Sequence, residues 1–92
     1  MKNVSMAMTI AGSDCSGGAG VQADIKTMSA LGVFASSCIT ALTCQNTMGV
    51  TDIMAVKDTI VRGQIDAVLS DLPIKSVKIG MLFNSDICKS VS

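Results

Sequence analysis

The sequence predicts an α/β fold with a mainly parallel sheet. Apolar runs of strand length alternate with amphipathic segments of helical period, which is the pattern of parallel strands joined by crossover helices. A parallel sheet needs helices on both faces, and two complete helices can hardly supply them. A last apolar stripe has only just begun at Ser92. We therefore expect residues 1–92 to be the N-terminal part of one larger α/β domain.

The first half of the chain predicts a strand, a helix and a second strand. Residues 6–11 are a short apolar run followed by turn residues, as in a strand buried on both faces. Residues 20–31 place apolar side chains at spacings of four, three and three, which predicts a helix with Gly32 as its C-cap. Residues 36–43 are β-branched and small, which predicts a strand ending at the amides of residues 45–46. The helical stripe consists of Val21, Ile25, Met28 and Leu31.

The second half predicts a strand, a crossover helix, a strand and the start of another helix. Residues 50–56 alternate weakly and predict a short third strand. Asp58 is expected to cap a helix that Pro73 stops. Residues 77–83 predict a further strand, and residues 85–86 begin a last helix. The apolar face of the crossover helix is expected to contain Val61, Ile65, Val68, Leu69 and Leu72.

A loop of small residues joins the first strand to the first helix, and a small molecule is expected to bind there. Four glycines and an alanine between residues 12 and 20 let the backbone approach a ligand, and the helix start offers N–H groups. Asp24 is expected to project from the first turn of that helix. Asp14 and Lys26 are expected to be solvated or to order the loop.

Residues 18–23 also match the G-x-G-x-x-A variant of the dinucleotide-binding fingerprint. That fingerprint needs a tight turn after the strand, whereas about six residues separate Ala11 from Gly18. The acid expected about 20 residues further on is replaced by Gln45 and Asn46. A dinucleotide site is therefore a weaker alternative, and a phosphate loop is weaker still because no lysine follows Gly20 directly.

Composition excludes several classes of function. Seven basic residues balance seven acids and only two residues are aromatic, so neither nucleic acid nor an anionic membrane is an expected partner. The chain has no histidine and no C-x-x-C spacing, so we expect no metal site in it. No signal peptide and no apolar span of about 20 residues is evident. Reduced cysteines in a cytoplasmic protein fit these features.

The order of residues 12–26, G-S-D-C-S-G-G-A-G-V-Q-A-D-I-K, is more specific than these patterns. It resembles the hydroxymethylpyrimidine/phosphomethylpyrimidine kinases of thiamine biosynthesis. Further matches lie at residues 27–32 (T-M-S-A-L-G), 39–47 (I-T-A-L-T-C-Q-N-T) and 78–82 (K-I-G-M-L), so the resemblance covers essentially the whole chain. Cys15 stands where many relatives carry Pro, and Cys44 stands where many carry Ala.

The resemblance implies a ribokinase-like, three-layer α/β/α domain. Such a kinase moves the γ-phosphoryl group of ATP onto the hydroxymethyl group of 4-amino-5-hydroxymethyl-2-methylpyrimidine, and then phosphorylates the monophosphate again. ATP and Mg²⁺ are the implied cofactors, and a cytoplasmic homodimer is the implied assembly. Residues 1–92 would be the substrate-binding part, with the ATP-binding and catalytic part absent. No catalytic residue is therefore expected in this chain, which should be inactive alone.

The resemblance also implies roles for individual residues. Gln45 would hydrogen-bond the aminopyrimidine edge, and Asp24 would bind the hydroxymethyl region. An amide suits an aminopyrimidine because it both donates and accepts. Gly12 and Gln45 follow predicted parallel strands, at the sheet edge where α/β proteins bind ligands. The expected pocket lining comprises Gly12, Ala19, Thr43 and Met81.

Blander interpretations remain open for these residues. Gln45 can be a loop amide that caps its neighbours, Asp24 a helix-start acid favoured by the dipole, and Met81 a core side chain. Pyridoxal kinase is the alternative within the same fold. From a different class, the chain can be a non-catalytic α/β fragment that binds a small molecule or pairs with another chain.

Overall fold

Two helices cover opposite faces of a four-stranded sheet in the computed structural model, which describes residues 5–80. Strand β1 runs parallel to β2 and to β4, whereas β3 runs antiparallel to β2. The sheet order is β3-β2-β1-β4. The mainly parallel α/β fold is therefore confirmed. The elements are β1 (Met6–Asp14), α1 (Gly20–Ala30), β2 (Phe34–Asn46), β3 (Gly49–Ala55), α2 (Asp58–Asp71) and β4 (Ser76–Ile79).

Alternation along β1 separates the two helical layers. Met8 and Ile10 form the buried core with Cys38 of β2 and Val61 of α2. Thr9, between them, points to the other face and donates a hydrogen bond to Asp24 of α1. Successive side chains of a strand point to opposite faces of a sheet, so α2 and α1 lie on opposite sides of β1. This is the α/β/α layering.

Strands β1 and β2 extend further than their apolar runs predict. Residues 12–14 and 44–46, which follow the apolar runs, belong to the strands. Backbone pairing continues there through Ser13 with Leu42 and Asp14 with Thr43, after a register shift that follows Ala11. A strand is held in its sheet by backbone hydrogen bonds, which polar residues make as well as apolar ones. The end of an apolar run therefore predicts the end of a strand too early. Polar side chains thereby gain rigid positions at the carboxyl ends of the strands.

The β2–β3 hairpin turns through residues 47–48, and Asn46 Oδ1 accepts a 2.8 Å hydrogen bond from the Met48 N–H. The third strand predicted at residues 50–56 is confirmed, one residue earlier. Every residue of β3 is exposed, as is every residue of β4. Both are edge strands of the described sheet, which explains the weak alternation of β3.

Helix α1 ends in the glycine cap that its sequence predicts. Gly32 adopts φ +75° and donates to the Ser29 carbonyl at 3.1 Å, while Val33 donates to the Met28 carbonyl at 2.8 Å. These two bonds form a Schellman motif. The predicted apolar stripe is wrong at Leu31, which is 75% exposed. Leu31 is the C-cap and lies beyond the last helical residue, Ala30, so it does not pack against the sheet with the other stripe residues.

Helix α2 differs from its prediction in three details. Asp58 is the first helical residue and forms an ion pair with Arg62 at 3.8 Å; Lys57 occupies the N-cap without a side-chain cap. Leu69, expected on the buried face, is half exposed, because it lies about 80° around the helix from Val61. Val61 is fully buried, and the helix ends at Asp71, before the predicted stop at Pro73.

Gln64 of α2 binds the backbone of β2. Its Oε1 accepts from the Ile39 N–H at 2.8 Å, and its Nε2 donates to the Ile39 carbonyl at 2.9 Å. Strand β3 pairs with β2 only from Ala41 onward. The side chain therefore makes, at Ile39, the two hydrogen bonds that another strand would make.

The strand and helix predicted after residue 76 lie only partly within the described residues. Strand β4 confirms the start of the strand predicted at residues 77–83, but residues 81–83 and the helix predicted from Ser85 lie outside the described part of the chain. Cys15, Cys38 and Cys44 are free thiols. Neither α1 nor α2 is long and apolar enough to cross a membrane.

Candidate functional site

One cleft of about 370 Å³ opens at the carboxyl ends of β1, β2 and β4. Five of the six residues expected to bind a substrate line it, namely Gly12, Ala19, Asp24, Thr43 and Gln45. The sixth, Met81, lies outside the described residues. The rest of the lining consists of Ala11, Ser13, Asp14, Gly20, Val50, Ile53, Lys78 and Gly80.

Asp14 orders the loop that borders the cleft. Its carboxylate accepts from the Ser16 N–H at 2.8 Å, the Ser16 hydroxyl at 2.7 Å and the Gly18 N–H at 3.0 Å. The Ser16 hydroxyl above all holds the pKa of Asp14 below its usual value, although burial acts in the opposite direction. Lys26 donates to the Gly17 carbonyl at 2.9 Å. The loop-ordering interpretation of both charges is correct, and Asp14 is buried rather than solvated.

The start of α1 lies directly against the end of β1. Gly20 adopts φ +61°, and a Cβ there would overlap the carbonyl oxygen of Gly12. Gln22 completes the contact, since its Oε1 accepts from the Asp14 N–H at 2.9 Å and its Nε2 donates to the Ser13 hydroxyl at 2.6 Å. Only glycine permits this close approach, so the small residues of the loop shape the cleft.

Gln45 lies half-buried beside Thr43. The Thr43 hydroxyl is 2.6 Å from Gln45 Oε1 and 2.7 Å from the carbonyl oxygen of Ser13. A hydroxyl has one proton and can donate it to only one of these acceptors. Both contacts are satisfied together when Gln45 turns its NH₂ group to Thr43 and its oxygen toward the cleft. Either orientation leaves one end of the amide for a ligand.

Cys15 connects the loop to the end of β2. Its thiol donates to the Gln45 carbonyl at 3.2 Å, and its sulfur accepts from the Gln45 N–H at 3.3 Å. The structure shows that this thiol contacts the backbone of the residue whose side chain reaches the cleft.

Asp24 joins three elements at the floor of the cleft. It lies in the second turn of α1, not the first as expected, because the helix begins at Gly20. One carboxylate oxygen accepts from the Thr9 hydroxyl at 2.6 Å, and the other contacts Lys78 Nζ at 2.6 Å. Partial burial raises the pKa of Asp24, but the hydrogen bonds from Lys78 and Thr9 and the lysine charge outweigh it, so the pKa lies below its usual value.

Sequence reasoning missed Lys78 and Gly80. Lys78 is the only charge in the apolar run of residues 77–83, and this was the available signal. Gly80 donates from its N–H to the Ile10 carbonyl at 2.7 Å, and a Cβ there would come within 2.9 Å of the Ala11 Cβ. Val50 and Ile53 of β3 were missed because nothing in their pattern indicated that β3 folds back antiparallel beside β2.

The cleft combines an apolar wall with a few directed polar groups, which is typical of small-molecule sites. Its amide, carboxylate and ammonium can hold a polar heterocycle and its substituent. Among residues 5–80, no cluster of three or more acidic or cysteine side chains could hold a metal ion. The polar groups of this lining are those that hold an organic ligand in a small-molecule site.

Sequence comparisons identify related proteins. A family model described as phosphomethylpyrimidine kinase matches residues 14–92. A hydroxymethylpyrimidine/phosphomethylpyrimidine kinase of Rhizobium meliloti is 54% identical over 95% of this chain and 33% of its own length. The Escherichia coli protein of the same name is 51% identical over the whole chain and 34% of its own length. The chain thus spans about a third of the curated relatives it matches.

Solved structures give the same result for the fold. The phosphomethylpyrimidine kinase of Clostridium difficile matches with a TM-score of 0.91 and 48% identity, over 95% of this chain and 38% of that one. A pyridoxal kinase of Staphylococcus aureus, solved with AMP-PCP and pyridoxal, matches with a TM-score of 0.84 and 32% identity, over 96% and 33% of the two chains.

Proposed function

Because the chain belongs to the phosphomethylpyrimidine kinase family, we propose that the protein carrying it phosphorylates 4-amino-5-hydroxymethyl-2-methylpyrimidine with ATP, and then phosphorylates the resulting monophosphate. In this proposal, residues 1–92 form the pyrimidine-binding part of one ribokinase-like domain. The observation that carries the proposal is that Asp24 and Gln45, which come from different elements, line the same cleft. The cleft adjoins strand ends, where ligands bind in α/β folds.

Each residue has a chemical reason for its proposed role. The Gln45 amide can pair with the edge of an aminopyrimidine, which presents both an amino donor and a ring-nitrogen acceptor. Asp24 is ionised and held by Thr9 and Lys78, so its carboxylate is pre-positioned near the hydroxymethyl group. Gly12, Ala19 and Thr43 contribute the surface on which the ring lies, and Met81 is proposed to do the same.

ATP and Mg²⁺ are assigned mainly to residues other than these. The chain matches a third of its relatives' length, and the described residues contain no acidic cluster that would hold a metal ion. The AMP-PCP complex of the S. aureus pyridoxal kinase supports a nucleoside triphosphate as the phosphoryl donor. Mg²⁺ would supply charge stabilisation to the transferred group when bound. A cytoplasmic homodimer belongs to the same proposal and rests on family membership.

The test is a kinase assay on the full-length protein that carries this chain. We expect ATP-dependent formation of the pyrimidine monophosphate and then of the diphosphate. Mass spectrometry detects both products. A preparation that is folded and binds ATP, yet phosphorylates neither acceptor, would contradict the proposal.

Pyridoxal kinase activity is the second candidate. The structural matches to the S. aureus pyridoxal kinase favour it, although the identity of 32% is lower than the 48% of the C. difficile pyrimidine kinase. The same assay with pyridoxal as acceptor separates the two. We expect a higher kcat/KM for the hydroxymethylpyrimidine, and a preference for pyridoxal would reverse the assignment.

A further inference from the structure

Three charged side chains line the described part of the cleft, and the proposed function gives Lys78 no contact with substrate. Asp14 is engaged by Ser16 and Gly18, and it orders the loop. Asp24 is assigned to the hydroxymethyl end of the substrate. Lys78 enters the cleft from β4 and is the one cation among the three.

The Asp24–Lys78 pair is accessible on its lysine side only. The side chain of Asp24 is 13% exposed, and its two oxygens contact Lys78 and Thr9. The side chain of Lys78 is 55% exposed, and an ammonium group has three N–H donors, of which the Asp24 contact uses one. Lys78 can therefore keep Asp24 and still donate to a ligand in the cleft.

The proposed reaction presents this pair with two acceptors of different charge. The hydroxymethylpyrimidine is neutral at this end, whereas a phosphate monoester carries about 1.5 to 2 negative charges at neutral pH. The phosphate occupies the position of the hydroxyl that Asp24 would face. Two anions at close range in a partly buried site repel each other, so an isolated carboxylate would accept the alcohol and reject the monophosphate.

We propose that Lys78 is a specificity-determining residue that lets one cleft accept both the neutral alcohol and its monophosphate. Its ammonium neutralises Asp24 and donates its remaining N–H groups to the phosphate oxygens, a contact that lysine makes as a compact point charge. This inference rests on the proposed function and adds to it a residue that governs the second phosphorylation.

A purely structural role for Lys78 makes a different prediction. The Asp24 contact also ties β4 to α1 across the sheet, so its loss can loosen the cleft. Loosening would impair both acceptors to a similar extent. A direct role impairs the monophosphate selectively, and this difference is what the experiment measures.

The experiment compares Lys78→Met with Lys78→Arg in the full-length protein. The quantity measured is kcat/KM for each acceptor separately. For Lys78→Met we expect a loss of about 10- to 100-fold with the monophosphate and a clearly smaller loss with the alcohol. Lys78→Arg should recover most of the monophosphate activity, because the charge remains. Lys75→Met, at an exposed lysine outside the cleft lining, is the matched control and should leave both values near wild type.

A second measurement uses the wild-type enzyme and therefore does not depend on whether a variant folds. Salt screens an exposed charge contact, so raising the ionic strength should increase KM for the monophosphate more than KM for the alcohol. Equal losses with both acceptors in Lys78→Met, or equal salt dependence, would overturn the role of Lys78 and leave the proposed function intact. A wild-type enzyme that phosphorylates neither acceptor would overturn both.

Discussion

At the scale of single residues, the Gln45 amide is the most direct test of the pyrimidine site. Gln45→Ala removes the donor and acceptor proposed for the aminopyrimidine edge. We expect kcat/KM for the pyrimidine to fall about 5- to 150-fold, which corresponds to about 1 to 3 kcal/mol of lost transition-state stabilisation.

Asn46→Ala is the matched control for Gln45. Asn46 is the next residue of β2, and its side chain bonds the hairpin turn and does not line the cleft. Its kcat/KM should stay near the wild-type value. Equal effects of the two substitutions, or no effect of Gln45→Ala, would remove Gln45 from the proposed site.

Asp24 makes a pH-dependent contribution to stability. Its pKa in the folded protein lies below 3.8, so the contribution is present above that value and is lost as the pH falls through the folded pKa. Lys78 is more than half exposed, which weakens the pair. Asp24→Asn should therefore lower the free energy of unfolding by about 1 kcal/mol near neutral pH.

Urea denaturation over a pH series measures this contribution. The difference between wild type and Asp24→Asn should shrink steadily as the pH is lowered past 3.8. A difference that stays constant across the series would mean that the carboxylate charge has no part in it.

The family resemblance placed Asp24 and Gln45 in one site, and the predicted end of β2 pointed to Gln45 independently. It did not place Lys78, whose partner Asp24 is 54 residues away along the chain. The contact exists only because β4 lies beside β1 in the sheet, and no local pattern encodes that neighbour. The Cys15 contact with Gln45 was missed for the same reason.

At the scale of elements, the loop between β1 and α1 depends on Gly20. Gly20 and Gly32 both adopt positive φ, but only at Gly20 would a Cβ also meet backbone, since nothing lies within 4 Å at Gly32. Alanine at either position costs about 1 to 2 kcal/mol for its backbone conformation. Gly20→Ala should cost about 1 to 3 kcal/mol more, because β1 and α1 must move apart.

The comparison of Gly20→Ala with Gly32→Ala isolates the close approach. We expect a lower denaturation midpoint for Gly20→Ala, together with weaker pyrimidine binding by calorimetry. Equal midpoints for the two variants would show that the contact between Gly20 and Gly12 is relaxed at little cost.

The kinds of element were predictable, but their limits and one orientation were not. Helical spacing and Gly32 located α1 well. The ends of β1 and β2 were harder to locate, because residues 12–14 and 44–46 do not continue the apolar runs. The antiparallel course of β3 follows from a two-residue turn after Asn46 that no strong turn motif announced. Asp58 resembled a cap because aspartate favours that position, yet it pairs with Arg62 inside the helix.

At the scale of the whole molecule, residues 1–92 expressed alone should be inactive. Phosphoryl transfer needs charge stabilisation and positioning of the transferred group, which we assign to other residues. The assay is incubation with ATP, Mg²⁺ and the pyrimidine. Phosphopyrimidine from a preparation free of contaminating kinase would contradict this expectation.

Size-exclusion chromatography and calorimetry complement that assay. Both edge strands of the described sheet are exposed and carry apolar side chains such as Ile53 and Val77, which favours association of the isolated piece. A heat of pyrimidine binding in calorimetry, without turnover in the assay, would support the substrate-binding assignment. A soluble oligomer that shows no heat of pyrimidine binding would favour the non-catalytic alternative.

Gln64 connects the far side of the sheet to the shape of the cleft. Because its amide fills the place beside Ile39, β3 cannot slide toward the start of β2 without displacing it. A slip by one residue would turn every side chain of β3 to the opposite face. Val50 therefore keeps its position opposite Gln45, and Ile53 keeps its position opposite Thr43. Helix α2, which contributes no residue to the described cleft lining, thereby helps to determine which side chains a ligand meets.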